Sequence, residues 1–546
     1  KIFNNYVILC INMMLNLQLL EIRSDTGSNL YIDDLVNFDE PTVSNEKSEI
    51  AEFFSHTNVL VTGGTGFLGK LLIEKLLRSC PDILRLYMIV RPKKGKTALE
   101  RYKESFEEIY DKLRCEQPNF LQKIVILEGD AAKEDYGLSP EDKKTLMNVN
   151  IIFHAAAVVR FDEKIRVAVN INVRSTKFLL SFAKKLPNFK AFVHVSTAFS
   201  NCVRKSIDEV HYTDVIDADK VLTLLDTLDD GRLEQMTPML LDKWPNTYVF
   251  TKALGENMVL KYGGDLPVCI VRPSIVIATY KEPISAWINN MYGPTGVVMG
   301  SGIGLLHTLH CKEENIADII PADYVISNII SSAWDVSDQS SNLPDEEKIP
   351  VYNSVSSCQK PISWGEFMKL NEIYGLIVPS TKVIWVYSLT LNRYLFLHNI
   401  YAFLLHIIPA IIVDTLAYLT GRTPILLDAY KKIHKFSTVI HYFAVNEWKF
   451  KNDNVIKLWN KMNSTDRQIF CLNTEHLDWK EYFYYHIRGV RMYLLKDPMD
   501  TVEVGIAKYK KLRLAHNTII LTISLLLLWF AISFISFLWS FCPLSH

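Results

Sequence analysis

The sequence predicts an α/β protein with a doubly wound parallel sheet, followed by a helical region and a membrane-spanning tail. Three observations carry this. Short runs of Val, Ile and Leu alternate with longer helical patterns between residues 56 and 276. A glycine-rich turn, Gly63-x-x-Gly66-x-x-Gly69, stands where the first run passes into the first helical pattern. Residues 518–539 form a stretch of 22 without a charge.

The elements follow in order. Residues 56–61 and 86–90 read as the first two strands, and 123–127 as a third ending in Glu128-Gly129-Asp130. Residues 150–153 form a fourth, running into His154-Ala155-Ala156-Ala157, and 191–195 a fifth, ending in Ser196-Thr197. Residues 268–271 form a sixth, ending in Arg272-Pro273-Ser274. Helical stretches near 68–78, 97–114 and 164–185 separate the early strands, as a Rossmann-type sheet requires.

Each glycine of the turn has a role. Gly63 permits a tight turn off the strand, Gly66 lets backbone approach a pyrophosphate, and Gly69 lets the helix pack closely on the sheet. The helix start then offers unpaired N–H groups to phosphate. No Gly-Lys-Ser/Thr follows, so this is not a nucleotide-triphosphate loop. At the end of strand two, where a carboxylate would accept from the adenosine ribose, stand Arg91-Pro92-Lys93-Lys94. An arginine there pairs with a 2′-phosphate, which predicts NADPH rather than NADH. Asp130, just past strand three, is expected at the adenine edge.

Tyr248 and Lys252 lie four apart in a helical segment and so share a face. A tyrosine beside an ammonium and a nicotinamide ring can donate a proton to a carbonyl oxygen as hydride reaches its carbon, and the same ammonium can hold the nicotinamide ribose. Ser196 and Thr197 leave strand five at the edge where open sheets bind ligands; Thr197 is the preferred oxyanion donor and Ser196 the alternative. Cys202 raises a covalent thioester route, which lacks a nearby basic partner in the sequence.

These motifs resemble the extended short-chain dehydrogenase/reductases, and more specifically the fatty acyl-CoA reductases of animals and plants. The resemblance rests on Thr62-Gly-Gly-Thr-Gly-Phe-Leu-Gly69, Val90-Arg-Pro-Lys93, Gly129-Asp130, Val159-Arg-Phe-Asp-Glu163, Asn172-Val173, Val195-Ser-Thr-Ala198, Tyr248-x-x-x-Lys252, Arg272-Pro-Ser-Ile-Val276 and Gly293-Pro-Thr-Gly296. It spans about residues 50–500. It implies NADPH-dependent reduction of a long-chain fatty acyl-CoA to an aldehyde and then to a primary alcohol, with release of CoA. It places Tyr248, Lys252 and the Ser196–Thr197 pair in the catalytic set. The cofactor-contacting set expected on these motifs is Gly63, Thr65, Gly66, Phe67, Leu68, Gly69, Arg91, Asp130, Ala155, Ala156, Asn172, Lys252 and Pro273. Two departures stand out: Phe199 where tyrosine is frequent, and Gly255 where alanine is frequent. A membrane-bound hydroxysteroid or sterol dehydrogenase is the alternative enzyme, and a non-catalytic membrane scaffold the alternative outside catalysis.

The expected organisation is a lead-in over 1–50, a reductase domain over 51–355, a helical acyl-binding domain over 356–500 and an anchor over 518–539. Residues 383–419 are dense in Leu, Ile, Tyr and Phe, are interrupted by Pro409, and read as membrane-associated acyl-binding helices in preference to a span. His434, His441, His476 and His486 are too dispersed to suggest a metal. Lys508, Lys510, Lys511 and Arg513 precede the anchor, which puts the catalytic part in the cytosol. The endoplasmic reticulum is the expected compartment and the peroxisomal membrane the rival. A net charge of −1 argues against nucleic acid as a partner. Nine cysteines without framework spacing argue for an intracellular chain, and no motif specifies a homo-oligomer, though one is compatible.

Overall fold

In the computed structural model the described residues are 46–540, apart from 94, 106–108 and 338–347. Most of the expected lead-in therefore lies outside them. Seven parallel strands form the central sheet: β1 (Asn58–Thr62), β2 (Arg85–Val90), β3 (Ile124–Glu128), β4 (Ile151–His154), β5 (Ala191–Val195), β6 (Val268–Pro273) and β7 (Val351–Ser354). Their order is β7-β6-β5-β4-β1-β2-β3. The order reverses between β1 and β4, which opens a crevice at the carboxyl ends of those two strands. Strands β5 and β6 are buried along their whole length, as sheets covered on both faces demand.

Six of these strands match the sequence-predicted ones. The edge strand β7 was not foreseen. Its four residues Val-Tyr-Asn-Ser lack a long apolar run, and pairing with β6 from Val351↔Ile270 to Ser354↔Pro273 makes it a strand. The helical stretch expected over 97–114 contains two helices, Ala98–Ser105 and Asp111–Glu116.

Helix α1 (Phe67–Ser79) follows the glycine turn. Helix α2 (Thr247–Gly263) carries the tyrosine and lysine, and α3 (Ala322–Ser337) covers one face of the sheet. The Asn246 side chain caps α2 by accepting from the Val249 amide at 3.1 Å. Beyond β7 the chain is mostly helical, including α4 (Leu426–Val445) and α5 (Val502–Ser540). This region shares the reductase core. Phe367, Leu458, Tyr482 and Phe483 pack in one cluster with Val61, Leu72, Val193 and Val271 of the sheet layer. Two short parallel pairs stitch it down: Thr390–Asn392 on Thr308–His310, and Lys449–Phe450 on Ser206–Ile207.

Candidate active site

The crevice at the β1/β4 switch holds a cavity of about 920 Å³. Its near wall is the glycine turn. Gly63 has φ +74°, and a Cβ there would stand 2.7 Å from the Ala156 amide nitrogen. A Cβ on Gly69 would stand 2.2 Å from the Gly63 carbonyl oxygen. The third glycine therefore lets the helix close on the turn itself, rather than on the sheet as expected. Gly66 is the N-cap of α1 with no side chain over the helix start, so the first amides face the cavity. A side-chain-free helix terminus under a loop this tight fits a pyrophosphate.

A buried relay fixes the opposite wall. The Thr176 hydroxyl donates to the Asn172 carbonyl at 2.9 Å, which leaves its oxygen to accept from His154 Nε2 at 2.9 Å. His154 Nδ1 then accepts from the Thr62 hydroxyl, also at 2.9 Å. Burial pushes the His154 pKa down to about 3, so the ring is neutral and the relay has one consistent direction. Thr62 in turn accepts from the Ala156 amide at 3.2 Å, pinning the Ala155–Ala156 strip across from Gly63.

At the end of β2, Arg91, Lys93 and Arg101 all line the cavity. Arg91 pairs with Asp130 at 3.6 Å, and both side chains are partly exposed. Arg101 donates to the Arg91 carbonyl and, at 3.5 Å, to the Thr65 hydroxyl. Arg101 was missed from sequence. The signal was its place in the first helix after the Arg91 strand end.

Tyr248 projects from α2 into the cavity, its ring stacked on Phe161 at 5.7 Å. Burial pushes its phenol up to about 12, against a hydrogen bond with Thr197 that pulls it down. The group is thus a neutral acid with a proton to give. Lys252, one turn on, donates to the Val195 carbonyl at 2.7 Å. Burial lowers its pKa to about 8, with Glu256 opposing. One further turn on, Glu256 accepts from Arg272 Nε at 2.9 Å and Nη2 at 2.7 Å, from Ser196 at 2.5 Å and from Ser200 at 2.8 Å. Burial works against the Glu256 charge, but the Arg272 guanidinium and the two hydroxyls outweigh it and hold the carboxyl below its usual range.

Of the sequence-predicted residues, Gly63, Thr65, Gly66, Phe67, Leu68, Gly69, Arg91, Asp130, Ala155, Ala156, Ser196, Thr197, Tyr248 and Pro273 line this one cavity. Asn172 and Lys252 do not. The Asn172 amide spans Val158 N at 2.9 Å and Thr251 Oγ1 at 2.9 Å, so it braces α2 against the loop after β4. Cys202 is also off the cavity. It is buried, and burial pushes its thiol up to about 12 against a weaker downward pull from the Lys205 charge. A buried, protonated thiol away from the cavity argues against the covalent route.

Residues 61–329 match the family model described as male sterility protein, and residues 405–497 match a second model of the same description. The chain is 38% identical over 486 residues to fatty acyl-CoA reductase wat of Drosophila melanogaster, covering 89% of this chain and 93% of that relative. It is 37% identical over 481 residues to fatty acyl-CoA reductase 1 of Homo sapiens, covering 86% and 92%. The chain belongs to the fatty acyl-CoA reductase family. Its fold is shared with the reductase domain of a nonribosomal peptide synthetase from Mycobacterium tuberculosis, at TM-score 0.51 and 18% identity over 82% of this chain and 95% of that one.

Both departures from the reductase pattern have structural accounts. Phe199 meets Phe443, Trp448 and Phe450 edge-on at 5.4–5.6 Å, in an apolar nest that suits a phenyl ring. At Gly255 a Cβ would stand 2.9 Å from the Asn172 carbonyl and 3.3 Å from His194 Nε2. The glycine makes room for that buried histidine. Past Tyr248 the cavity continues into an apolar arm lined by Leu309, Leu391, Ile440 and Phe443. Sequence reasoning expected acyl-binding helices here but named none of these residues, because three separate elements bring them together.

Proposed function

We propose that this chain is an NADPH-dependent, alcohol-forming fatty acyl-CoA reductase, anchored in a membrane with its catalytic part in the cytosol. The observation that carries the reading is the continuity of one cavity. It runs from the glycine turn, past Tyr248 and Thr197, into an arm of aliphatic and aromatic side chains. A thioester carbonyl seated at Tyr248 leaves its acyl chain in that arm. Each buried methylene there contributes roughly 0.8 kcal/mol.

NADPH supplies hydride when bound, one molecule for the thioester and one for the aldehyde. The cradle of Gly63, Gly66 and Gly69 receives its pyrophosphate, and Arg91, Lys93 and Arg101 supply the positive charge that a 2′-phosphate needs. Tyr248 gives its proton to the carbonyl oxygen, and Thr197 donates a second hydrogen bond to that oxygen. The hemithioacetal then breaks its C–S bond as its hydroxyl proton passes to the departing sulfur, so CoA leaves as the thiol, and Tyr248 regains a proton from solvent. The aldehyde is reduced at the same pair of donors. Thr197 takes the hydroxyl role because Ser196 is committed to Glu256 at 2.5 Å, whereas the Thr197 hydroxyl makes only a long bond to the Pro273 carbonyl, at 3.4 Å. Lys252, one turn along α2 from the tyrosine and bonded to the Val195 carbonyl at the end of β5, is the residue assigned to the nicotinamide ribose in this reading.

The helix Met499–Trp539 is apolar and long enough to cross a bilayer. Lysines on its amino side favour the cytosol for the catalytic part. The endoplasmic reticulum is the proposed compartment; a peroxisomal pattern by fluorescence co-localisation would replace it.

The test uses membranes carrying the full chain, labelled palmitoyl-CoA, and NADPH or NADH. Expected are labelled hexadecanol, preference for NADPH, and loss of product in Tyr248→Phe. Turnover of sterols alone would overturn the substrate class, and unchanged product from Tyr248→Phe would overturn the mechanism.

A further inference from the structure

A second apolar helix, Leu395–Leu419, runs 25 residues, and only 22% of its most apolar 18-residue stretch is buried. It differs from the terminal helix in having one polar face, and that face is bonded to the enzyme. His398 Nδ1 meets the Thr308 hydroxyl at 3.0 Å. His406 Nε2 accepts from the His307 amide at 3.0 Å, and its Nδ1 meets His434 Nε2 at 3.1 Å. Asp414 accepts from the amides of Ile425, Leu426 and Leu427 at 3.1, 3.0 and 2.8 Å, which caps the start of α4. In a uniform helix these three residues would drift around the axis. A π-turn at Phe403–Ile407 sets the rotation back by about 100°, one residue, and returns them to one side. Pro409, which lacks an N–H, follows two residues after the turn, so the helix absorbs the proline instead of ending there.

The other side is bare and apolar. Phe396, Phe403, Ile412, Leu416 and Leu419 are each more than half exposed. A soluble surface does not leave such a patch uncovered, and what lies beside it says what covers it. Helix α5 is docked on the enzyme through its first turns, not tethered by a linker. A Cβ on Gly505 would stand 2.0 Å from the Pro379 carbonyl oxygen. Lys508 donates to the Thr381 carbonyl at 2.8 Å, Tyr509 accepts from the Tyr387 amide at 3.2 Å, and His516 Nδ1 accepts from Trp385 Nε1 at 3.2 Å. The charge-free stretch begins two residues later, at Thr518. Three residues past Trp385, the Ser388 hydroxyl bonds His307 Nδ1 at 2.7 Å, and the His307 amide is the one held by His406. The middle of Leu395–Leu419 therefore sits beside the base of the terminal span.

We infer that helix Leu395–Leu419 lies in the plane of the bilayer surface as a second membrane contact, with its apolar face among the lipid acyl chains and its histidine–aspartate face on the enzyme. The strand pair that leads into it, Thr390–Asn392 on Thr308–His310, supplies Leu391 and Leu309 to the apolar arm of the cavity. Resting on the reading above, the acyl chain of a membrane-borne substrate enters the arm from this lipid-facing side.

The test reconstitutes the full chain in phosphatidylcholine vesicles doped with a phospholipid carrying a diazirine on its acyl chain. After irradiation, label is expected on Phe396, Phe403, Ile412 and Leu416 as well as on residues 518–539, and is expected to be absent from His398, His406 and Asp414. Label confined to the terminal helix overturns the inference. So does label all around Leu395–Leu419, which would make it a second span. This readout needs no turnover and stands whatever the substrate proves to be. A second arm reads the route. A Phe403→Asp/Ile412→Asp variant with unchanged Tm is expected to lose at least fivefold in turnover of vesicle-partitioned stearoyl-CoA while keeping turnover of butyryl-CoA; equal effects on the two substrates overturn entry from the lipid side.

Discussion

Glu256 and Arg272 form an ion pair 2.7 Å long, with side-chain exposures of 7% and 0%. It joins the helix that carries Tyr248 and Lys252 to the end of β6, and the same carboxylate gathers Ser196 and Ser200 from the turn after β5. The guanidinium is further fixed by the carbonyls of Asp208 and Val210, at 3.1 and 3.0 Å. The pair thus sets the position of the reacting tyrosine against the strand ends without touching substrate.

Arg272→Met removes one partner and leaves a buried carboxylate uncompensated. Breaking a buried pair in this way costs about 3–5 kcal/mol. The expected outcome is a large fall in Tm, with recovery in the Arg272→Met/Glu256→Gln double variant, where no charge is left alone. A double variant no more stable than the single one would show that the pair's charges do not act together.

Ser196 and Thr197 should separate cleanly. Ser196→Ala deletes a hydrogen bond to a buried charge, so Tm is expected to fall, by roughly 1–3 kcal/mol of stability, with kcat altered only a few-fold. Thr197→Val removes a donor from the developing oxyanion and should lower kcat by about 10²–10³ with little change in Tm. The reverse pattern in steady-state kinetics and thermal melts would reassign the hydroxyl.

Lys252 makes a pH prediction whose sign can be worked out. Its folded pKa is about 8 against an ordinary value of 10.5, because burial disfavours the ammonium. Below pH 8 folded and unfolded chains both hold the proton, and the penalty for burying it is fully present. Between about 8 and 10.5 the folded chain releases a proton that the unfolded chain keeps, so the penalty fades as pH rises. A Lys252→Met variant should therefore gain most in Tm, relative to wild type, below pH 8, and that gain should shrink towards pH 10. Activity should move the other way, with wild-type kcat falling above pH 8 as the ammonium is lost.

What could be read from sequence was whatever neighbouring residues specify together. The glycine turn, the six strands with apolar runs and the helix carrying Tyr248 and Lys252 are all local patterns, and these elements form where they were expected, although Lys252 stands off the cavity. The functions of Glu256 and Arg272 were not legible, although Arg272 opens a recognised motif and Glu256 lies one turn past another, because their pairing joins a helix to a strand across 16 residues of chain. Strand β7 is defined by its partner and not by its own four residues. The cavity's apolar arm draws Leu309, Leu391, Ile440 and Phe443 from elements that only tertiary packing unites. Asn172 shows the converse case: its motif was visible, but its amide is turned to Val158 and Thr251.

Gly255→Ala tests the packing account of an unusual residue. The added methyl would press on the Asn172 carbonyl at 2.9 Å and on the unpartnered ring of His194 at 3.3 Å. The carbonyl belongs to a π-turn braced by Thr176, so it has little room to move. Overpacking of this kind costs about 1–3 kcal/mol. Adding His194→Ala should relieve the ring contact and restore part of the lost Tm. No restoration would place the strain on the carbonyl alone.

The cofactor preference should reside in Arg91 and Arg101 together. Arg91 is already partnered by Asp130 at 3.6 Å, a loose and half-exposed pairing, so an incoming 2′-phosphate competes with one weak ion pair. Arg101 is held over the Arg91 backbone and Thr65, which points its charge at the same place. Each charge-assisted hydrogen bond to the phosphate contributes roughly 1.5–3 kcal/mol, a factor of about 10–100 in affinity. Arg101→Ala should therefore raise KM for NADPH by at least tenfold and leave KM for NADH nearly unchanged, and Arg91→Ala/Arg101→Ala should abolish discrimination. If KM rises equally for both cofactors, the arginines shape the loop and do not read the phosphate.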